Sequence, residues 1–335
     1  VLRLVRWSAG YLERKGVAES QARLDAEHLL AHALATTRLQ LYLQFDRPLT
    51  PGELERYKPL LLRRANREPL QYILGRGAFR ELDLRVDPRV LVPRPETEEL
   101  VEAVLEWARR RVGEDVVGSR HREGARTSLP WSSPEDAATE TEASPGGVEP
   151  RLPSRATAAT ARGRVLTVLD VGTGSGCIAL SLALEGPFRR VVATDPSPDA
   201  LAVARENASE SGLDRWVEFR EGPLFGPLGE SEAFDVVVSN PPYVARSDAE
   251  DLEPEVRRHE PEGALFAGDD GLEVTTALVS RVASHVTAGG LLALEVGSGQ
   301  APRVVELIRV AGGFDEPRVR RDLAGRPRMV LAERR

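Results

Sequence analysis

From residue 164 onward this chain alternates apolar strands with helical segments, and one junction in that series restricts the fold more than any other. Val165-Leu166-Thr167-Val168-Leu169-Asp170-Val171 is a nearly unbroken apolar run, the pattern of a strand covered on both faces. It enters Gly172-Thr173-Gly174-Ser175-Gly176, and a helical pattern starts at Cys177. Glycines at a strand-to-helix turn let a ligand approach the backbone closely, beside a helix N-terminus. Such alternation predicts a parallel α/β sheet. Strands are expected at 165–171, 190–195, 216–220, 234–239, 290–296, 317–321 and 328–333, and helices near 176–185, 198–211, 271–287 and 300–311. The connection between the last two strands is too short for a crossover, so that pair should be antiparallel.

Two further strand ends carry chemistry. Val191-Val192-Ala193-Thr194-Asp195 ends on an acid about 20 residues past the glycine loop, a placement that suits recognition of ribose hydroxyls. A dinucleotide fingerprint would want its third glycine where Cys177 stands, and here that glycine comes one residue early. The closer spacing suits a cofactor without a pyrophosphate. Asp235-Val236-Val237-Val238-Ser239 is a buried strand stopped by Asn240-Pro241-Pro242-Tyr243. Two prolines cannot donate to a sheet ladder and each fixes its own φ, which leaves an amide and an aromatic face on a stiff turn. That pair suits a small, planar, polar guest.

Residues 1–77 read as a small helical bundle. Ala22, Ala26, Leu29, Leu30 and Ala33 recur at helical spacing. Thr50-Pro51-Gly52-Glu53 is a helix start with a capping box, and Pro59 should kink or break the helix that follows. His28 and His32 lie four apart without the glutamate or third ligand of a zinc helix, and are read as structural. Residues 78–94 alternate around Asp87-Pro88-Arg89 and read as a β-hairpin linker. The main domain, 95–335, opens with a helix beginning at Glu96 or Thr97 and running to about Arg111. Residues 113–163 are rich in Ser, Thr, Ala, Gly, Pro and Glu, and read as a disordered insertion. The stretch 244–274 reads as a long loop beside the site, of the kind that forms lids.

Composition bounds the function. A hydrophobic share of 41% and a charged share of 29% describe a globular protein, and no apolar run would cross a membrane. The first residues lack a signal-peptide core, and the single cysteine, Cys177, excludes an intrachain disulfide and a cysteine metal cluster. A cytoplasmic protein without a metal is expected. Net charge is −7, which argues against general nucleic-acid binding. Residues 1–78 nevertheless hold 13 Lys+Arg against 8 Asp+Glu, or +5. A basic lobe of this kind could face an acidic partner.

The glycine loop with its Asp-x-Gly-x-Gly-x-Gly spacing resembles that of class I S-adenosylmethionine-dependent methyltransferases. With Asp195 and Asn240-Pro241-Pro242-Tyr243 it resembles enzymes that methylate planar amide or amine nitrogens. Arg67-Glu68-Pro69-Leu70, Pro93-Arg94-Pro95-Glu96-Thr97-Glu98 and the helical first lobe narrow the resemblance to the peptide chain release factor glutamine methyltransferases, the PrmC/HemK family. That resemblance covers nearly the whole chain apart from 113–163. It implies a Rossmann-like seven-stranded sheet and S-adenosylmethionine as cofactor. Its substrates would be class I peptide chain release factors, methylated on the glutamine of Gly-Gly-Gln. It implies that Asn240 and the Pro241 carbonyl accept the amide hydrogens while Pro242 stiffens the turn and Tyr243 packs on the amide plane. The cofactor would lie on Gly172, Thr173, Gly174, Ser175, Gly176 and Asp195, and near Asn240. Asp170 would anchor the loop or bond the cofactor's methionine amine; the sequence leaves both open. Where the family often has an acid and an aromatic beside the adenine, this chain has Glu221-Gly222-Pro223-Leu224-Phe225, so Pro223 or Leu224 takes the aromatic's place. Competing readings are a ribosomal-protein glutamine methyltransferase, a DNA adenine N6-methyltransferase, and a non-catalytic adaptor for translation factors.

Overall fold

The computed structural model describes residues 1–44, 46–122 and 166–335, the second stretch as backbone only beyond Gly113. Five helices come first: α1 (Leu2–Arg14), α2 (Glu19–Ala33), α3 (Arg38–Leu43), α4 (Pro51–Ala65) and α5 (Leu70–Leu74). They share a core of their own, in which Leu12, Ala22, Ala26, Leu29 and Leu30 are fully buried. The capping box forms as expected: Thr50 Oγ1 accepts from Glu53 N at 3.3 Å, and Glu53 Oε2 accepts from Thr50 N at 2.8 Å. The expected break at Pro59 does not occur, and α4 runs through it. Pro59 lies on the exposed face, where water can take the carbonyl its ring deprives, while Tyr57, Leu61 and Ala65 hold the opposite face in the core.

The hairpin is tighter and earlier than expected. Its strands are β1 (Arg76–Phe79) and β2 (Leu82–Arg85), with Phe79 opposite Leu82 and a two-residue turn, Arg80-Glu81, between them. Arg80 takes φ +51, as a tight hairpin turn requires, so Asp87-Pro88-Arg89 is a separate turn beyond the strands. Helix α6 (Pro95–Arg122) outruns its expected end at Arg111. Gly113 costs a helix only about 1 kcal/mol, too little to stop propagation. The first ten residues of the expected insertion, 113–122, continue this helix, and 123–163 lie outside the described residues.

The main sheet comprises β3 (Leu166–Val171), β4 (Phe188–Asp195), β5 (Val217–Glu221), β6 (Phe234–Ser239), β7 (Val286–Glu295), β8 (Arg318–Arg321) and β9 (Pro327–Glu333). Its order is β5-β4-β3-β6-β7-β9-β8. Strands β3 to β7 are parallel, while β9 is antiparallel to both β7 and β8, as the short last connection requires. Helices α7 (Cys177–Glu185) and α8 (Pro198–Glu210) follow β3 and β4. The short helices α9 (Pro254–His259) and α10 (Glu262–Leu265) come after β6, then α11 (Glu273–Val282) and α12 (Ala301–Ala311). Alternate strand residues feed two cores: Val168, Val191, Val236 and Leu291 pack with α6 and α7, and Leu169, Val192, Val237 and Leu292 pack with α11 and α12. Burial on both faces explains the continuous apolar runs of the sequence. The helix expected to 287 stops at Val282, because Val286 already pairs with Phe234 in the sheet.

The lid-like stretch after Tyr243 is more structured than a loop. Val244 N donates to Leu265 O at 2.9 Å and Ala267 N to Val244 O at 3.0 Å, so its two ends are clipped together. Helix α9 is bolted to the first lobe. Arg64 bridges Asp25 at 2.6 Å and Glu255 at 2.8 Å, and Arg67 reaches Glu255 at 2.5 Å and Glu253 at 3.0 Å. Asp25 is completely buried and Arg64 nearly so. Removing one member of such a pair leaves an uncompensated buried charge. Arg64→Met is expected to destabilise the protein by about 3–5 kcal/mol. Chemical denaturation followed by circular dichroism checks this, and an unchanged midpoint would show that Asp25, which also accepts from Gln21 Nε2 at 2.6 Å, needs no charged partner.

Candidate active site

The parallel order places the ends of β3, β4 and β6 side by side. Strand order reverses between β3 and β6, and open α/β sheets bind ligands at the carboxyl ends of strands at such a point. The three features singled out in the sequence meet there: Gly172–Gly176 after β3, Asp195 at the end of β4, Asn240–Tyr243 after β6. Ser239 Oγ donates to Val171 O at 2.6 Å and ties two of these ends together.

The glycine loop is laced to its neighbours. Gly172 N and Thr173 N both donate to Thr194 O, at 2.8 and 3.0 Å, Gly174 N to Asp195 Oδ2 at 2.8 Å, and Gly176 N to Thr173 O at 2.9 Å. With these four N–H groups committed, the loop has little to offer a pyrophosphate. Gly172 and Gly174 have φ of +76 and +55, and a Cβ on either would meet nothing within 4 Å. They form an open cradle. Gly176 has a different task, because a Cβ there would press on Leu180 at 3.2 Å and Ala204 at 3.3 Å, where α7 packs on α8. Ser175 is buried and its carbonyl accepts from Asn207 Nδ2 at 2.9 Å. Asn207, which the sequence reading missed, also bonds both backbone groups of Arg85 and so joins hairpin, loop and α8. A polar residue among the apolar positions of α8 was its only signal.

Asp170 anchors the loop. Its Oδ2 accepts from Thr173 Oγ1 at 2.6 Å and from Ala179 N at 3.2 Å. Its Oδ1 is buried without a partner among the described residues, and burial pushes the carboxyl up to about 7. An orphaned buried acceptor beside an open glycine cradle fits an ammonium-bearing ligand, which S-adenosylmethionine is. Asp195 accepts from Gly174 N through one oxygen and from Ser197 N, at 2.9 Å, through the other. Each oxygen keeps a second lone pair for a hydroxyl. Burial raises its pKa, ahead of the lowering by those two backbone bonds. Gly222 N donates to Asp195 O at 3.0 Å and Thr194 Oγ1 to Leu224 O at 3.2 Å, which brings the Pro223 segment against the end of β4. Pro223 is exposed there, and Leu224 holds φ +49, a strained value for a leucine. These residues could hold an adenosine with an amino-acid tail.

Across the cleft, Asn240 is half-buried, Pro241 is buried, and Tyr243 is half-buried with burial pushing its phenol up to about 12. The turn is fastened from behind by Gln300, whose Nε2 donates to Tyr243 O at 2.9 Å and to Gly271 O at 3.2 Å. A Cβ on Gly271 would sit 2.4 Å from Tyr243 O, and one on Gly297 would sit 3.1 Å from the tyrosine ring. Asn240 Nδ2 donates to Thr97 Oγ1 at 3.0 Å, and Thr97 Oγ1 donates to Glu295 Oε2 at 2.7 Å. Asn240 Oδ1 has no partner among the described residues, so the turn presents an acceptor. Among those residues no group of three or more His, Cys, Asp and Glu could hold a metal, and no helix is long and apolar enough to cross a membrane.

Glu295 is buried at the end of β7, and burial pushes it up to about 7 against the opposing bond from Thr97. Its usual value is 4.5, so between 4.5 and about 7 the native state binds more protons than the unfolded chain. Stability must then fall as the pH rises through that window and level off above it. Glu295→Gln removes the titration. Its stability relative to the parent is expected to improve between about pH 5 and about pH 8, measured by urea unfolding. A pH-independent difference would show that Glu295 does not hold its proton in the native state.

Comparison with known proteins places the chain in a family. The family model described as "PrmC N-terminal domain" matches residues 3–75, and "Methyltransferase small domain" matches 157–256. A release factor glutamine methyltransferase from Geobacter sulfurreducens is 39% identical over 94% of this chain and 90% of its own. Relatives of the same name from Deinococcus radiodurans and Koribacter versatilis are 38% and 36% identical. They cover 99% and 93% of this chain and 97% and 91% of their own.

Proposed function

The chain belongs to the release factor glutamine methyltransferase family, and from that membership we propose how its site works: it transfers the methyl group of S-adenosylmethionine to the side-chain amide nitrogen of the Gly-Gly-Gln glutamine in class I peptide chain release factors. The observation that carries the reading is the facing pair of features at the β3/β6 switch point. One is an open glycine cradle, the other a stiff turn with an amide acceptor that has no partner among the described residues.

S-adenosylmethionine supplies an electrophilic methyl when bound. The chain's own part is binding and orientation. Asp195 would take the ribose hydroxyls, Gly172 and Gly174 would let the ligand lie on the backbone, and Asp170 Oδ1 would accept from the amine. Thr173 and Ser175 act indirectly, shaping the loop from within, and Pro223 and Leu224 would border the adenine. An amide nitrogen is a weak nucleophile because its lone pair is delocalised. Asn240 Oδ1 and the Pro241 carbonyl accept its hydrogens and draw electron density back to nitrogen, while Tyr243 covers the amide plane. Such a turn would hold the nitrogen for in-line attack on the methyl group. The nitrogen can lose its proton after attack, so no strong base is needed on this turn. Pro242 makes no polar contact and contributes rigidity.

Release factors are protein substrates, and we place the reaction in the cytoplasm without a nucleic-acid partner, in keeping with a net charge of −7. Incubation with labelled S-adenosylmethionine and either a class I release factor or duplex DNA tests the assignment. Label should enter the factor and not the DNA. Label in the DNA supports the adenine reading instead, and failure to bind the cofactor in calorimetry supports an adaptor.

A further inference from the structure

The segment Pro93–Glu98 stood out in the sequence, yet the mechanism above gives it no task. The structure brings it to the centre of the site. Thr97, in the first turn of α6, lies between Asn240 and Glu295, which are 143 and 198 residues away in the chain. A threonine hydroxyl has one proton. Here it goes to Glu295 Oε2 at 2.7 Å, so toward Asn240 the Thr97 oxygen can only accept, and it does so from Nδ2 at 3.0 Å. The side-chain amide of asparagine has two nearly isosteric ends, a donor and an acceptor. Only one orientation serves an incoming glutamine amide, whose nitrogen carries donors. We propose that Thr97 and Glu295 are positioning residues. The carboxylate polarises the Thr97 hydroxyl, the hydroxyl holds the NH2 end of Asn240, and Oδ1 is thereby kept facing the substrate nitrogen.

The chain of bonds has a direction that depends on charge. As a carboxylate, Glu295 can only accept, and the order Asn240 to Thr97 to Glu295 is forced. Once protonated, Glu295 can donate to Thr97, Thr97 can donate to Asn240 Oδ1, and the amide is free to turn its NH2 end to the substrate, where it meets another donor. The groups facing Glu295 are Glu96 on α6, Arg94 before it, Arg328 on β9, Tyr243 beyond β6 and Cys177 at the start of α7. Asp170 titrates in the same range, so a pH limb on activity is assigned to Glu295 only where Glu295→Gln removes it.

The inference rests on the glutamine-methylation reading for its kinetic arm and on nothing beyond the fold for its spectroscopic arm. With a release factor as substrate, Thr97→Val is expected to lower kcat about 10–100-fold with cofactor affinity retained, and Thr97→Ser to restore most of it. In the parent, kcat should rise with pH as Glu295 ionises, and this limb should vanish in Glu295→Gln. The chain has three asparagines, Asn66, Asn207 and Asn240. Selective ¹⁵N-asparagine labelling therefore gives three side-chain amide signals, and loss of one in Asn240→Ala identifies it. That signal should move through the Glu295 titration in the parent and stay fixed in Thr97→Val and Glu295→Gln, while the signals of Asn66 and Asn207 report an intact fold. Parental kcat in Thr97→Val, a Thr97→Ser as slow as Thr97→Val, or an Asn240 signal that ignores the titration overturns the proposal. If the parent methylates no release factor, the reading of the substrate fails by itself, and the amide signal still decides the role of Thr97.

Discussion

Asn240→Ala is expected to slow methyl transfer by about 10²–10³-fold or more, with the fold intact and cofactor affinity near that of the parent. The expectation follows from what the side chain touches. Among the described residues its side chain bonds only Thr97, and the strand behind it is held by the buried valines of β6 and by Ser239. Alanine leaves the two prolines, the Gln300 clamp on Tyr243 O and the glycine cradle in place. What goes is the acceptor for one amide hydrogen of the substrate, which matters most where nitrogen must attack. Single-turnover rates at saturating cofactor, with calorimetric titration of the cofactor alone, separate the two quantities. Unfolding of the variant, or loss of cofactor binding with an unchanged rate constant, would return Asn240 to the role of a turn-forming residue.

Gly174→Val should have the opposite signature. At φ +55 a side chain pays a conformational cost of about 1–2 kcal/mol. The space its Cβ would enter is open, with nothing of the described chain within 4 Å of it. The added methyls would fill the cradle where the cofactor is to lie. Cofactor affinity is expected to fall at least about 100-fold while the folded protein persists. Gly176→Val is the control, because its Cβ would meet Leu180 and Ala204 and disturb helix packing. Undiminished affinity in Gly174→Val would move the cofactor away from the loop.

How far the sequence could reveal this site depends on how local each feature is. The glycine loop, Asp195 and Asn240-Pro241-Pro242-Tyr243 each sit at the end of an apolar run, where strand, turn and chemistry are read within ten residues. The central strands were legible for the same reason, since β3 and β6 are buried along their whole length. Asp170 stayed undecided because the fate of its second oxygen is visible only in three dimensions. Glu295 and Gln300 were missed, and Thr97 was read only as a helix start and part of a motif, because their partners lie 29 to 198 residues away. Glu295 did leave a trace, as a charged residue closing the apolar run Leu291-Leu292-Ala293-Leu294. The hairpin turn was misplaced because Asp87-Pro88 is a strong turn signal, while the true turn uses Arg80 in a conformation that arginine seldom adopts. The lid-like stretch after Tyr243 carries few helix signals, and its order comes from Arg64 and Arg67 in the other lobe.

The most direct test of the central claim is where the methyl goes. A class I release factor incubated with this protein and ¹³C-methyl S-adenosylmethionine should carry one labelled methyl, on the side-chain nitrogen of the Gly-Gly-Gln glutamine, seen by tandem mass spectrometry of the motif peptide. The factor with that glutamine replaced by alanine should carry none. A methyl on any other residue, or equal labelling of the alanine-substituted factor, would contradict the account.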